Sequence, residues 1–294
     1  MKKTIKNVLI VYKRSPYEIY FLTRESTMFG KQKAILEKEL RRFTATHQNH
    51  YATLKVIKET LRKLKVNYKI IGRGEKEDYS AFDLIVSVGG DGTFLEVARG
   101  VTRQLVLGVN SDPSRSVGRF CCANKDNFPD IFTKVFRKKA KVTILSRLQV
   151  RKSGLKKAYH ILNDCLICHK NPAAMSRYYL TVGGITEEQR SSGVWIATAA
   201  GSTGAIHSAG GKILPPARSE FQYKPRELYR GFSFRYSLTG GIIPAAKQVK
   251  VESLMRNGTV FLDGAHVHLP LSYGEALTVS HSPEPLRVIW GNRP

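Results

Sequence analysis

A chain of 294 residues is too long for one small module and long enough for two domains of ordinary size. Hydrophobic residues make up 42% and charged residues 24%, the balance of a soluble globular protein, which sets aside collagen-like, disordered and membrane-embedded classes. Lys and Arg outnumber Asp and Glu by 48 to 23, and the formal charge of +25 predicts a partner rich in phosphate or carboxylate.

The basic start of the chain runs into Val8-Leu9-Ile10-Val11, too brief an apolar run for a signal peptide core. No run reaches membrane-spanning length, and no Arg- and Ser-rich leader is visible. Residues 8–12 read as a buried strand. Residues 31–43 and 51–64 read as two helices, the second with Leu54, Ile57, Leu61 and Leu64 on one face. Residues 66–71 are the next strand, 82–88 a strand buried on both faces, 93–100 a helix, 105–109 a strand and 128–139 a helix. This alternation specifies a parallel sheet flanked by helices.

From residue 141 the segments become short, β-rich and punctuated by Gly, Pro and Asn. Strands are expected at 141–150, 159–169, 178–182, 194–198, 248–252, 259–262 and 276–280, with a single helix between 201 and 209. The fold class is α/β: an N-terminal Rossmann-like parallel-sheet domain over residues 1–140, then a β-rich sandwich domain over 141–282. The four cysteines are too few for a disulfide scaffold and point to a reducing cytoplasm. Cys165-Leu166-Ile167-Cys168-His169 has the spacing of a haem attachment site, but its apolar setting reads better as a buried strand. Cys121-Cys122 and His266-Val267-His268 are poor chelate spacings for zinc, so no metal-binding side chains are assigned.

The segment that carries chemistry is residues 83–95, where a buried strand ends in Gly89-Gly90-Asp91-Gly92-Thr93 and opens a helix. Ligands bind at such strand ends in open α/β sheets. The glycines are expected to adopt positive φ and admit a phosphate to a nest of backbone N–H groups at the helix N-terminus. An acid inside that nest would repel phosphate, so Asp91 needs another task, such as orienting a hydroxyl or a metal ion.

The Gly-Gly-Asp-Gly-Thr turn resembles the signature of NAD kinases and of their relatives, the diacylglycerol-type lipid kinases and phosphofructokinases. Residues 107–121, Leu162-Asn163-Asp164, residues 192–211 and Leu262-Asp263-Gly264 resemble further NAD kinase segments in the right order. Asn110-Ser111-Asp112-Pro113-Ser114-Arg115-Ser116, Lys13 with Tyr17-Glu18, and residues 47–63 resemble the mitochondrial-type branch.

The resemblance implies phosphoryl transfer from ATP to the 2′-hydroxyl of the adenosine ribose of NAD, with NADH as a further acceptor, giving NADP. Asp91 would accept the hydroxyl proton; an ordinary Asp is a weak base toward an alcohol, so positioning counts for more than basicity. Gly89, Gly90, Gly92 and Thr93 would shape the phosphate site with Arg115, and Arg119 lies on the same loop. Asp91, Gly92, Asn163, Asp164, Thr203, Gly204 and Ser208 would contact NAD, although Ser208 also reads as an ordinary helix serine. Mg2+ would bridge the nucleotide phosphates through their oxygens and water. The last strand, 286–290, would cross back to the first domain, and the assembly would be a homodimer or homotetramer.

Ser192 replaces the usual Asp, Asp164 the usual Glu, Ala199-Ala200 the usual Pro-Thr, and Gly204-Ala205 the usual Ala-Tyr. Two alternatives stay open: a lipid kinase sharing the turn, and a non-catalytic dinucleotide- or nucleic-acid-binding protein. Against the first, no apolar groove or membrane-facing helix is apparent. Against the second, basic residues are spread along the chain without the patterning of a specific nucleic-acid binder, and pure binding would not need Asp91.

Overall fold

The computed structural model describes residues 5–22, 33–231 and 235–290, with the side chains of the first helix described from residue 39. The chain divides into two compact units, Met1–Thr143 with Arg287–Pro294, and Ile144–Leu286. The first unit holds β1 (Asn7–Tyr12), α1 (Lys33–Lys63), β2 (Asn67–Gly72), β3 (Leu84–Gly89), α2 (Asp91–Gly100), β4 (Leu105–Asn110), α3 (Phe128–Phe136) and the start of β5 (Val142–Leu145). The second holds β6 (Leu148–Lys152), β7 (Ala158–Ile161), β8 (Asp164–His169), β9 (Ser176–Val182), β10 (Ile185–Ser191), β11 (Val194–Thr198), α4 (Ala205–Ser208) and β12 (Phe221–Pro225). It continues with β13 (Gly241–Ile243), β14 (Gln248–Ser253), β15 (Gly258–Leu262), β16 (His268–Leu271) and β17 (Ala276–His281), and β18 (Leu286–Ile289) follows.

The first sheet has the order β2-β1-β3-β4-β18-β5. β1 pairs in parallel with β2 and β3, β3 with β4, and β4 with β18. Val8 and Ile10 of β1, Leu84, Val86 and Val88 of β3, and Leu107 and Val109 of β4 form one face of this sheet. They pack with Leu54, Ile57 and Leu61 of α1 and with Phe128 and Phe132 of α3. β3 is buried at every residue, as a central parallel strand covered on both faces should be.

The second unit has two six-stranded antiparallel sheets, β10-β9-β14-β17-β6-β7 and β13-β12-β11-β8-β15-β16. Alternate residues of each, such as Val249 and Val251 of β14, Leu277 and Val279 of β17, Cys165 and Ile167 of β8, and Val194 and Ile196 of β11, point into one core. This is the period-2 pattern of a sandwich. Cys165 lies in that core while Cys168, three residues on along the strand, falls on the opposite face. The strand reading of this segment therefore holds. All four cysteines are free and buried.

Several expectations change. The helices expected at 31–43 and 51–64 are one, α1, and Lys31 and Gln32 lie outside the described residues. The buried stripe of α1 runs through Thr46, His50, Thr53, Leu54, Ile57 and Leu61, a continuous helical spacing whose first members are polar and so break the apolar period. Residues 141–150 are two strands in different sheets, β5 and β6. Residues 159–169 are also two, β7 and β8, separated at Leu162-Asn163. The helix expected within 201–209 is only Ala205–Ser208, and α2 begins at Asp91, two residues early. β10, β12, β13 and β16 lie outside the expected strands.

Candidate active site

β3 delivers Gly89 and Gly90 to the C-terminal edge of the first sheet. Gly90 caps α2 and Asp91 is the first helical residue. From β1 the chain first adds β2 on one side and then β3 on the other, so the turn sits at a reversal of strand order, where α/β sheets bind ligands. The glycines do not serve as expected, because none of Gly89, Gly90 and Gly92 has positive φ. Space is the reason. A Cβ on Gly89 would lie 2.5 Å from Thr93 Oγ1, and one on Gly90 would collide with Ser116 Oγ. Above Gly92 the nearest atom would be Arg73 Nη1 at 3.6 Å, which leaves the helix end open. Thr93 is buried, and its hydroxyl has no hydrogen-bond partner among the described residues.

The loop after β4 is built onto this turn. Ser111 N donates to Gly89 O at 3.1 Å. Asn110 Nδ2 donates to Ser116 O at 2.8 Å, and Asn110 Oδ1 accepts from Asp112 N at 3.1 Å. Phe120 stacks on Phe94 of α2, with ring centroids 5.3 Å apart and an interplanar angle of 8°. This holds its backbone N–H against Asp91 Oδ1 at 2.8 Å. Asp91 is thus fixed by one oxygen, while Oδ2 has no partner among the described residues.

Two cations that sequence reading did not place in the site accompany the turn. Lys13 directly follows β1, and its chain lies along Gly89, where an added Cβ would meet Lys13 Cδ at 3.4 Å. Burial lowers the Lys13 pKa, the Asp112 carboxylate opposes this, and the charges of Arg73 and Arg115 add to the lowering. Arg73 directly follows β2, with its N–H on Tyr12 O at 2.7 Å and its guanidinium on Glu96 of α2 at 2.5 Å. Arg115 is exposed and reaches Thr46 of α1 at 2.9 Å. The strand order alone places Lys13 and Arg73 beside the turn, and a single sequence does not display that order.

The second unit gathers a separate group. Asn163 lies in the break between β7 and β8, and Asp164 opens β8. Asp263 gathers the backbone there: its carboxylate accepts from Leu162 N at 3.0 Å, Asn163 N at 2.7 Å and Asp164 N at 3.3 Å. Asp263 itself takes a left-handed backbone, φ 50°, and returns its N–H to Asp164 O at 2.9 Å. Asn163 Nδ2 donates to Asp164 Oδ2 at 2.8 Å. Burial, with a smaller contribution from the Asp263 charge, pushes the Asp164 carboxyl up to about 7.

The segment after β11 closes on the same backbone. Thr198 Oγ1 donates to Leu162 O at 2.5 Å. Gly201 must be glycine, because a Cβ there would overlap the Asn163 carbonyl. A Cβ on Gly204 would lie 3.3 Å from Asn163 Nδ2 and 3.4 Å from Asp164 Oδ2, so Gly204 borders the pair directly. Thr203 is half-buried, and Ser208 is exposed at the end of α4. The structure thus brings Asn163, Asp164 and Gly204 together and adds Asp263. Sequence similarity pointed to Asp263 but gave it no role.

The ATP-NAD kinase N-terminal domain family matches residues 8–139, and the ATP-NAD kinase C-terminal domain family matches residues 162–290. The chain belongs to the ATP-NAD kinase family. This makes it a phosphotransferase of the NAD kinase type. A probable NADH kinase of Oryza sativa subsp. japonica is 32% identical over 263 positions, covering 82% of this chain and 81% of that protein. An NADH kinase of Arabidopsis thaliana is 30% identical, covering 97% and 95%. In fold, the chain resembles the crystal structure of an NAD kinase from Archaeoglobus fulgidus in complex with ATP. The TM-score is 0.71 at 24% identity, covering 97% of this chain and 93% of that one. The plant NADH kinases fit the mitochondrial-type branch of the ATP-NAD kinase family. No helix among the described residues is long and apolar enough to cross a membrane.

Proposed function

We propose that this chain transfers the γ-phosphoryl group of ATP to the 2′-hydroxyl of the adenosine ribose of NAD and of NADH. The observation that carries this reading is Asp91 at the opening of α2, with one carboxylate oxygen fixed by Phe120 N–H and the other free. The free oxygen orients the acceptor hydroxyl and takes its proton late, as a loose phosphoryl-transfer transition state allows. NADH is included because the two plant relatives are named as NADH kinases.

Lys13 and Arg73 hold the phosphates of ATP over the opening that Gly92 leaves, with Arg115 at its margin. Among the described residues no group of three or more His, Cys, Asp or Glu side chains converges as a metal cage. Mg2+ would be carried by phosphate oxygens and water. Bound there, the ion would neutralise charge developing on the phosphoryl oxygens. Replacing Lys13 with alanine is expected to raise KM for ATP about tenfold and leave KM for NAD within twofold. Steady-state kinetics with each substrate varied in turn checks this.

Asn163 and Asp164 bind ribose hydroxyls. Hydroxyls donating to Asp164 favour its charged form, so its pKa falls when dinucleotide binds. With a free-protein pKa of about 7, binding at pH 7 is expected to release about half a proton, and affinity is expected to rise with pH toward 8 and then level off. Calorimetry in buffers of different ionisation heat reads this release. Asp164→Asn is expected to abolish it, and proton uptake on binding would contradict the assignment. For the roles together, a structure with bound dinucleotide is the test. The 2′-hydroxyl is expected within about 3 Å of an Asp91 oxygen, and a ribose turned away from Asp91 would refute the reading.

The compartment and assembly proposed are the cytoplasm, which suits four free, buried cysteines, and a homodimer or homotetramer, as the family resemblance implies.

A further inference from the structure

At the edge of the first sheet opposite the Gly-Gly-Asp-Gly turn there is a cavity of about 720 Å³. It lies where β3 and β4 begin, beside the loop 102–104 that ends the α2 connection and the C-terminal end of α3. Its size is that of a site for a drug-sized molecule. Apolar side chains that include Phe82, Val135 and Ile289 line it, and three cations, Arg103, Lys138 and Arg287, border it.

Among the described lining residues the carboxylate is Asp83, and its Oδ2 accepts the N–H groups of Lys6 and Asn7 at 3.0 and 3.1 Å. Neither the Arg103 nor the Arg287 guanidinium has an ion-pair partner among the described residues.

We propose that this cavity is a binding site for a small amphiphilic anion, a molecule with an apolar body and one carboxylate, sulfonate or phosphate group. The apolar wall takes the body, and the Arg103 and Arg287 guanidiniums take the charge. A neutral apolar molecule leaves the Arg103 and Arg287 guanidiniums without a counter-charge, a cation is repelled, and the volume is too small for a protein element. The site is distinct from the turn at the other end of β3, and the proposal does not rest on the phosphotransfer reading.

The probe is 1-anilinonaphthalene-8-sulfonate, titrated by fluorescence into the full chain with saturating NAD and a non-hydrolysable ATP analogue, which occupy the nucleotide sites. One class of binding is expected to persist, with decanoate competing at least tenfold better than decanol. The double variant Arg103→Ala/Arg287→Ala is expected to weaken probe and decanoate binding at least fivefold, with kcat and KM for NAD unchanged. Val142→Trp, at an exposed position on the cavity wall, is expected to block the probe without removing a charge. Loss of the signal when nucleotides are added, equal competition by decanol, or full binding by both variants would overturn the proposal.

Discussion

Replacing Asp91 with asparagine is expected to lower kcat at least about a hundredfold, within the range ascribed to a positioned acid or base. Fold and dinucleotide binding should survive. The asparagine carbonyl still accepts the Phe120 N–H that anchors the loop over the turn, so the change removes proton acceptance and charge with little loss of architecture. Asp91→Ala removes the anchor as well. It is therefore expected to show the same loss of kcat with an added rise in KM for ATP, because Ser116 and Arg115 lie on the loop that Phe120 secures. Steady-state kinetics, with circular dichroism as the folding control, separates the two variants. Near-normal turnover by either would remove Asp91 from the chemistry.

Replacing Asp263 with alanine is expected to have the largest effect on stability. Asp263 is buried and is the acceptor for three consecutive backbone N–H groups, those of Leu162, Asn163 and Asp164. A buried donor without a partner costs about 1–3 kcal/mol, so the sum is expected near 3 kcal/mol or more even with local relaxation. The melting temperature should fall by about 6–12 °C, and dinucleotide binding should be lost because the backbone carrying Asn163 and Asp164 is released. Asp263→Asn keeps one acceptor oxygen and removes the neighbouring charge. It is expected to be milder in stability and to move the Asp164 carboxyl down from about 7, shifting the pH dependence of binding toward acid. Thermal melts and binding isotherms from pH 6 to 8 read both effects.

What the sequence made legible follows from how local each signal is. The buried strand, paired glycines, acid and helix start lie within thirteen residues, so the turn could be read directly. The reason for the glycines could not. Their close neighbours, Thr93 across the turn and Ser116 on the following loop, make them a matter of space and not of left-handed backbone. The polar stripe of Thr46 and His50 hid the continuity of α1. β10, with the sequence Ile-Thr-Glu-Glu-Gln-Arg-Ser, is an edge strand whose mostly polar face gives little apolar period. Lys13 and Arg73 reach the site only through the order β2-β1-β3. Asp263 acts on a backbone about a hundred residues earlier, and no spacing rule connects the two. Family resemblance points to Asn163 and Asp164, but an apolar run read as one strand hides the break at Leu162-Asn163 after which Asp164 opens β8.

In the proposed reaction this chain moves phosphate from ATP onto the adenosine ribose of a nicotinamide dinucleotide. The most direct measurement is transfer of label from γ-labelled ATP to NAD, NADH and diacylglycerol presented separately. The product is then tested as a coenzyme for a dehydrogenase that requires the 2′-phosphate. Labelled, coenzyme-competent product is expected from NAD and NADH, with no label on diacylglycerol and loss of all transfer in Asp91→Asn. Tight dinucleotide binding with no transfer to any acceptor, or label appearing on the lipid, would contradict it.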